Sequence, residues 1–126
     1  MVRNGTPIIL VIEDYADSRQ LLSSLLRANG YKVVEARDGR EGLLQAYRVT
    51  PDLILMDLAM PEMDGVEATR HLRQRQSLAR IPIFAMTAYG TTDVKQDALA
   101  AGCAEVFAKP LEIEMLLGKI RETLGG

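Results

Sequence analysis

Several absences narrow the class of this sequence. It has one cysteine, Cys103, in 126 residues, so no internal disulfide can form and a reducing compartment is expected. No charge of one sign dominates: 15 Lys and Arg stand against 17 Asp and Glu, a formal net charge of −2. That balance argues against bulk attraction to a nucleic-acid backbone. No apolar run approaches the roughly 20 residues of a membrane span. The opening MVRNGTP has none of the apolar character of a secretory signal. Neither G-x-x-x-x-G-K-[ST] nor G-x-G-x-x-G occurs, which leaves nucleotide binding unsupported. There is no internal repeat, low-complexity segment or linker. These absences predict a single cytoplasmic domain over residues 1–126, with no direct nucleic-acid or membrane partner.

Apolar residues make up 48% of the chain, enough for one real core. They alternate between short continuous blocks and longer stripes. Ile8 to Ile12 is apolar throughout and reads as a strand buried on both faces. Leu21, Leu22, Leu25 and Leu26 have helical spacing, and Gly30 ends that helix. Tyr31 to Ala36 is a less apolar strand, expected nearer a sheet edge. Asp38 and Glu41 stand at capping-box spacing before Leu43, Ala46 and Tyr47. After the break at Thr50-Pro51-Asp52, Leu53 to Met56 reads as a buried strand ending at Asp57. Asp64 and Glu67 open a third helix, and Ile81 to Met86 is a fourth strand interrupted by Pro82. A weaker helix covers Thr91 to Ala101, with Val94 and Ala98 inward and Gly102 ending it. Val106 to Ala108 is a short fifth strand. Leu111 to Leu124 is the last helix, with Ile113, Leu116, Leu117 and Ile120 inward. Five strand–helix units imply an α/β fold, a doubly wound parallel sheet covered on both faces.

In such sheets ligands bind beyond the carboxyl ends of the strands. Glu13 and Asp14 follow the first strand, Asp57 the third, Thr87 the fourth and Lys109 the fifth. Adjacent strands lie about 4.8 Å apart, so neighbouring strand ends can share one site. Converging carboxylates resist ionisation unless a positive charge is present. An all-oxygen cluster suits a hard divalent cation such as Mg²⁺, and Lys109 adds an ammonium. With the Thr87 hydroxyl, the set suits handling of a phosphoryl group. No Ser or Cys stands there as nucleophile, so a carboxylate must take the group, as an acyl phosphate.

Over about residues 7–124 this arrangement closely resembles the receiver domain of two-component response regulators, in matching order. The carrying residues are Glu13-Asp14, the stretch LILMDLAMPEMDG with Asp57, the MTA of Thr87, and Lys109-Pro110. Each is weak alone; together, at the right strand ends, they are specific. The resemblance implies a flavodoxin-like (βα)5 fold with strand order 2-1-3-4-5 and a cis bond before Pro110. It implies that Asp57 is the phosphoacceptor, with Lys109 and Thr87 beside it. It implies Mg²⁺, or Mn²⁺ in its place, on Asp14, Asp57 and the Ala59 carbonyl, with Glu13 acting through a water. The donor would be a phosphohistidine of a sensor kinase or phosphotransfer protein. The chain would be a signalling switch rather than an enzyme, assisting only its own phosphorylation and slow dephosphorylation.

One position departs from the family pattern. An aromatic commonly stands three residues before the lysine; here Val106 does, and the aromatic is Phe107. Strand alternation turns Phe107 to the opposite face, so signalling is expected to run through residues 87–93 and the fourth helix.

Other polar residues have plainer readings. His71, the only histidine, lies in the polar run HLRQRQ and reads as surface. Cys103 reads as a small packing residue. Arg70, Arg73, Arg75 and Arg80 read as a solvated helix face. Ala59 and Tyr89 border the water route to Asp57 and are expected to tune phosphoryl lifetime.

Two rival classes fit the strand ends less well. A flavin carrier needs a Ser/Thr/Gly phosphate loop after the first strand, where this chain has EDYAD. An Asp-nucleophile phosphatase usually has a second Asp two residues after the first, where this chain has Ala59. No effector domain is expected after the last helix, so the chain either stands alone and docks on a partner, for which the resemblance implies the face of helix four, strand five and helix five, or is a module of a larger regulator or hybrid kinase.

Overall fold

The computed structural model describes residues 5–125. The first four residues and Gly126, which belong to the expected 1–126 domain, lie outside the described residues. The elements run β1 (Ile8–Ile12), α1 (Ala16–Ala28), β2 (Lys32–Ala36), α2 (Gly39–Val49), β3 (Leu53–Asp57), α3 (Gly65–Gln74), β4 (Ile83–Thr87), α4 (Thr92–Ala101), β5 (Glu105–Ala108) and α5 (Ile113–Leu124). All paired strands are parallel, in the order β2-β1-β3-β4-β5.

The continuous apolar blocks become the central strands because both sheet faces are covered. Leu10, Ile12, Ile54, Met56, Ile83 and Ala85 face one core with α2, α3 and α4. Ile9, Val11, Leu53, Leu55, Phe84 and Met86 face the other, with α1 and α5. The less apolar β2 is an edge strand, as its composition implied.

Helix ends follow local chemistry. Asp38 and Asp64 accept from the backbone N–H of Glu41 and Glu67, each at 2.8 Å. Glu41 reaches back one residue further than a capping box requires, to the N–H of Arg37 at 3.0 Å. Gly102 has φ +120°, the region where glycine is favoured, and the Cys103 N–H closes the α4 terminus on Ala98 O at 3.0 Å.

Several expectations need adjustment. Strand β4 begins at Ile83 because Pro82 has no N–H to donate; its carbonyl still accepts from Ile54 N at 3.0 Å. Strand β2 starts at Lys32, β5 takes in Glu105, and α5 starts at Ile113. A short 3-10 turn at Gln76–Leu78 also follows α3. The inward stripe of α1 narrows to Leu22 and Leu26, while Leu21 is 74% exposed. Ile113 is likewise outside the core. A cavity of about 430 Å³ separates α1 from the start of α5, and Leu21, Leu25, Pro110 and Ile113 line it.

The basic stretch is not a uniformly solvated face. Arg73 is partly buried and donates to Gly102 O at 2.8 and 3.2 Å and to Leu78 O at 3.0 Å, tying α3 to the α4–β5 turn. Arg75 stacks on the Tyr47 ring at 4.2 Å. Arg70, Arg80 and His71 are exposed.

Candidate functional site

Strand register places the candidate residues. Ile12 pairs with Met56, and Asp57 pairs with Met86, so Glu13, Asp57 and Thr87 leave adjacent strands at one rim. Lys109 N donates to Thr87 O at 2.8 Å, bringing the end of β5 to the same rim. The Lys109–Pro110 bond is cis.

One oxygen each of Glu13, Asp14 and Asp57 lies within 4.8 Å of the other two. Glu13 and Asp57 are buried and Asp14 is exposed. Lys109 Nζ contacts Glu13 Oε1 at 2.8 Å and Asp57 Oδ2 at 3.3 Å. Asp57 Oδ1 accepts from Ala59 N–H at 3.1 Å. The buried Thr87 hydroxyl accepts from Tyr89 N–H at 3.0 Å, so its own proton remains available to donate. Ala59 and Tyr89 are both exposed beside these strand ends.

The cluster is short of positive charge. Burial alone would lower the pKa of the Lys109 ammonium, but the Glu13 hydrogen bond and the charges of Asp57 and Glu13 outweigh it and push it up. The Asp14 carboxyl is pushed above its ordinary value by desolvation, then by the hydrogen bond and charge of Glu13; its own backbone and Lys109 pull the other way. One lysine thus serves three converging carboxylates, and oxygen ligands with excess negative charge suit a hard divalent cation.

The α3 terminus packs close behind the acceptor strand. Gly65 N donates to Leu58 O at 3.0 Å. A Cβ at Gly65 would stand 2.6 Å from Asp57 O and 2.8 Å from Leu58 Cα, so glycine alone permits this approach.

Two contributions emerge only in three dimensions, although Gly65 closes the LILMDLAMPEMDG stretch. One is the Gly65 approach. The other is Arg19, whose Nη1 donates to Glu13 O at 2.8 Å while its Nε meets Glu35 Oε1 at 3.2 Å. Its partners are six residues back and sixteen ahead, outside any short motif.

Fold and site together define a flavodoxin-like domain with an acidic cluster at the carboxyl rim of its sheet. The chain belongs to the family described as response regulator receiver domain, whose profile matches residues 9–121. Among its relatives is the polar-differentiation response regulator DivK of Brucella ovis, 32% identical over 120 residues, covering 95% of this chain and 98% of DivK. The chemotaxis protein CheY4 of Vibrio cholerae is 32% identical with a TM-score of 0.90, covering 95% of this chain and 100% of that one. The receiver domain of the sensor histidine kinase PA1611 of Pseudomonas aeruginosa is 32% identical with a TM-score of 0.89, covering 97% and 100%; it holds a magnesium ion in its active site cleft. This chain is therefore a receiver domain of two-component signalling, and neither rival class has support. Receiver domains bind Mg²⁺ at an acidic site and interact with kinases or phosphotransfer proteins and with downstream targets. Among the described residues, no helix is long and apolar enough to cross a membrane.

Proposed function

We propose that Asp57 is the phosphoacceptor of a cytoplasmic switch that takes its phosphoryl group from a phosphohistidine of a sensor kinase or phosphotransfer protein. One observation carries the reading: Asp57 is a buried carboxylate held by the Ala59 N–H and by Lys109. An Asp57 oxygen forms the new bond to phosphorus as the P–N bond to the donor imidazole breaks. The imidazole nitrogen keeps the bonding pair and takes a proton. Lys109 then exchanges its Asp57 contact for a phosphoryl oxygen, and Thr87 donates its hydroxyl proton to another. In the slow reverse of the signal, water attacks phosphorus and the acyl O–P bond breaks. Asp57 is regenerated with release of inorganic phosphate. Exposed Ala59 and Tyr89 border the path of that water.

Asp14, Asp57 and the Ala59 carbonyl are the proposed direct ligands of Mg²⁺, or of Mn²⁺ in its place, with Glu13 acting through water. A bound divalent cation would neutralise charge on the phosphoryl oxygens. The proposed output face is α4, β5 and α5. It carries exposed Leu99 and Met115, and Lys119 of α5 meets Glu105 of β5 at 3.9 Å.

The test is incubation with Mg²⁺ and a small-molecule phosphodonor, read by intact mass. One phosphoryl group is expected on the wild type, and none on Asp57→Asn or in excess EDTA. A wild type that stays unlabelled overturns the reading.

A further inference from the structure

The turn that carries Glu13 and Asp14 has an unusual support. Helix α1 begins without a side-chain cap: Tyr15 occupies the cap position and makes no capping bond. The Tyr15 N–H is held instead by Glu13 Oε2 at 3.2 Å. Glu13 N still donates to Ala36 O at 3.0 Å, so the backbone is anchored to β2 on its N–H side. On the carbonyl side, Glu13 O is held by Arg19 Nη1 at 2.8 Å. Arg19 is in turn fixed by Glu35 on β2, at 3.2 Å, and only 16% of its side chain is exposed. A planar guanidinium can hold two partners at fixed angles, which an ammonium cannot. Glu35 also meets Arg27 at 3.5 Å, so its carboxylate is held from two sides.

We propose that Arg19 is a positioning residue: it bridges Glu35 on β2 to the carbonyl of Glu13 and so fixes the backbone from which Glu13 and Asp14 reach the cation. This rests on the reading of the acidic cluster as the divalent-cation site. Both side chains hang on the one peptide unit that Arg19 holds. If that unit loosens, both carboxylates lose their alignment with Asp57, and the cost falls on cation affinity. The Arg19 bonds run to the Glu13 carbonyl and to Glu35, so Arg19 acts on the cluster through the backbone.

The test measures Mg²⁺ affinity by isothermal titration of the intact chain, with thermal unfolding recorded alongside. Arg19→Met keeps the apolar stem and loses both bonds; about a tenfold weaker Mg²⁺ affinity is expected, in the range for groups that orient metal ligands. Arg19→Lys and Glu35→Gln are expected to weaken it less, and they carry the test should Arg19→Met not fold. Ile120→Val, in the core under α5, is the control: it lowers the unfolding temperature and leaves Mg²⁺ affinity unchanged. Wild-type affinity in folded Arg19 and Glu35 variants overturns the role of Arg19 alone. A wild type that binds no Mg²⁺ overturns the site reading beneath it.

Discussion

Phe107 packs against Phe84 with ring centroids 5.5 Å apart and planes inclined by 52°, on the α1 and α5 face of the sheet. Its neighbour Val106 packs on the other face, with Val94 and Ala98 of α4. Thr87 shares the parity of Ala85, which also faces α4, so the aromatic of β5 lies across the sheet from the Thr87 hydroxyl. Thr87 pairs with Ala108 and Ala85 with Val106, so the β5 side chains on the Thr87 face are short aliphatic ones and no ring stands there. The response to phosphorylation is expected to pass through residues 88–91 and α4. With Mg²⁺ and a phosphoryl mimic, backbone NMR shifts should change across 88–101 while the Phe84 and Phe107 ring signals stay nearly fixed. Unchanged shifts throughout 88–108 would contradict this route.

Asp14 is the exposed member of a crowded acidic set, so neutralising it should relieve repulsion while removing a cation ligand. Asp14→Asn is expected to unfold at a higher temperature than the wild type in EDTA. In saturating Mg²⁺ the order should narrow or reverse, since only the wild type gains from binding. Thermal scans with and without Mg²⁺ check both halves. A variant less stable in EDTA would show that the cluster is not strained by its own charge.

Gly65 admits no side chain without moving the Asp57 backbone. Gly65→Ala is expected to cost about 1–3 kcal/mol by urea unfolding, as overpacking of a tight contact does. It should also slow phosphodonor labelling, because the displaced atoms belong to residue 57. A neutral substitution would show that α3 can shift freely.

Cys103 is buried, with Sγ 3.6 Å from the Thr69 hydroxyl, and burial pushes its thiol pKa up despite that hydrogen bond and nearby Arg73. The folded value therefore lies above the unfolded one. The stability this contributes is complete below the unfolded thiol pKa and is lost as pH rises through the folded one. Urea unfolding between pH 8 and 10 should show a steeper decline for the wild type than for Cys103→Ala. The native thiol should also resist alkylation at pH 8 until urea is added. Equal slopes and rapid native labelling would both count against this.

Much of this molecule is legible in the chain because its strands are buried on both faces. Ile8–Ile12 and Leu53–Met56 are continuous apolar blocks, so no register choice could expose them. Strand order is another matter. Glu13, Asp57, Thr87 and Lys109 are widely separated in sequence, and their convergence depends on β3 lying between β1 and β4, with β5 next to β4. Family resemblance supplied that order; apolar periodicity alone does not contain it. Element starts were less clear where one residue decides them, as at Pro82. Arg73 illustrates what periodicity misses. In a polar run it reads as solvated, yet its guanidinium satisfies carbonyls that close α4 and the 3-10 turn. Such roles depend on acceptors from distant segments, as does the bridge from Arg19 to Glu13.

Asp57, and no other carboxylate of the cluster, is the proposed acceptor of the phosphoryl group. The most direct measurement traps the acyl phosphate by borohydride reduction after phosphodonor labelling with Mg²⁺, then maps the modified peptide by mass spectrometry. Modification at residue 57 alone, absent from Asp57→Asn, is the expected result. Modification at Asp14 or Glu13, or undiminished labelling of Asp57→Asn, would contradict it.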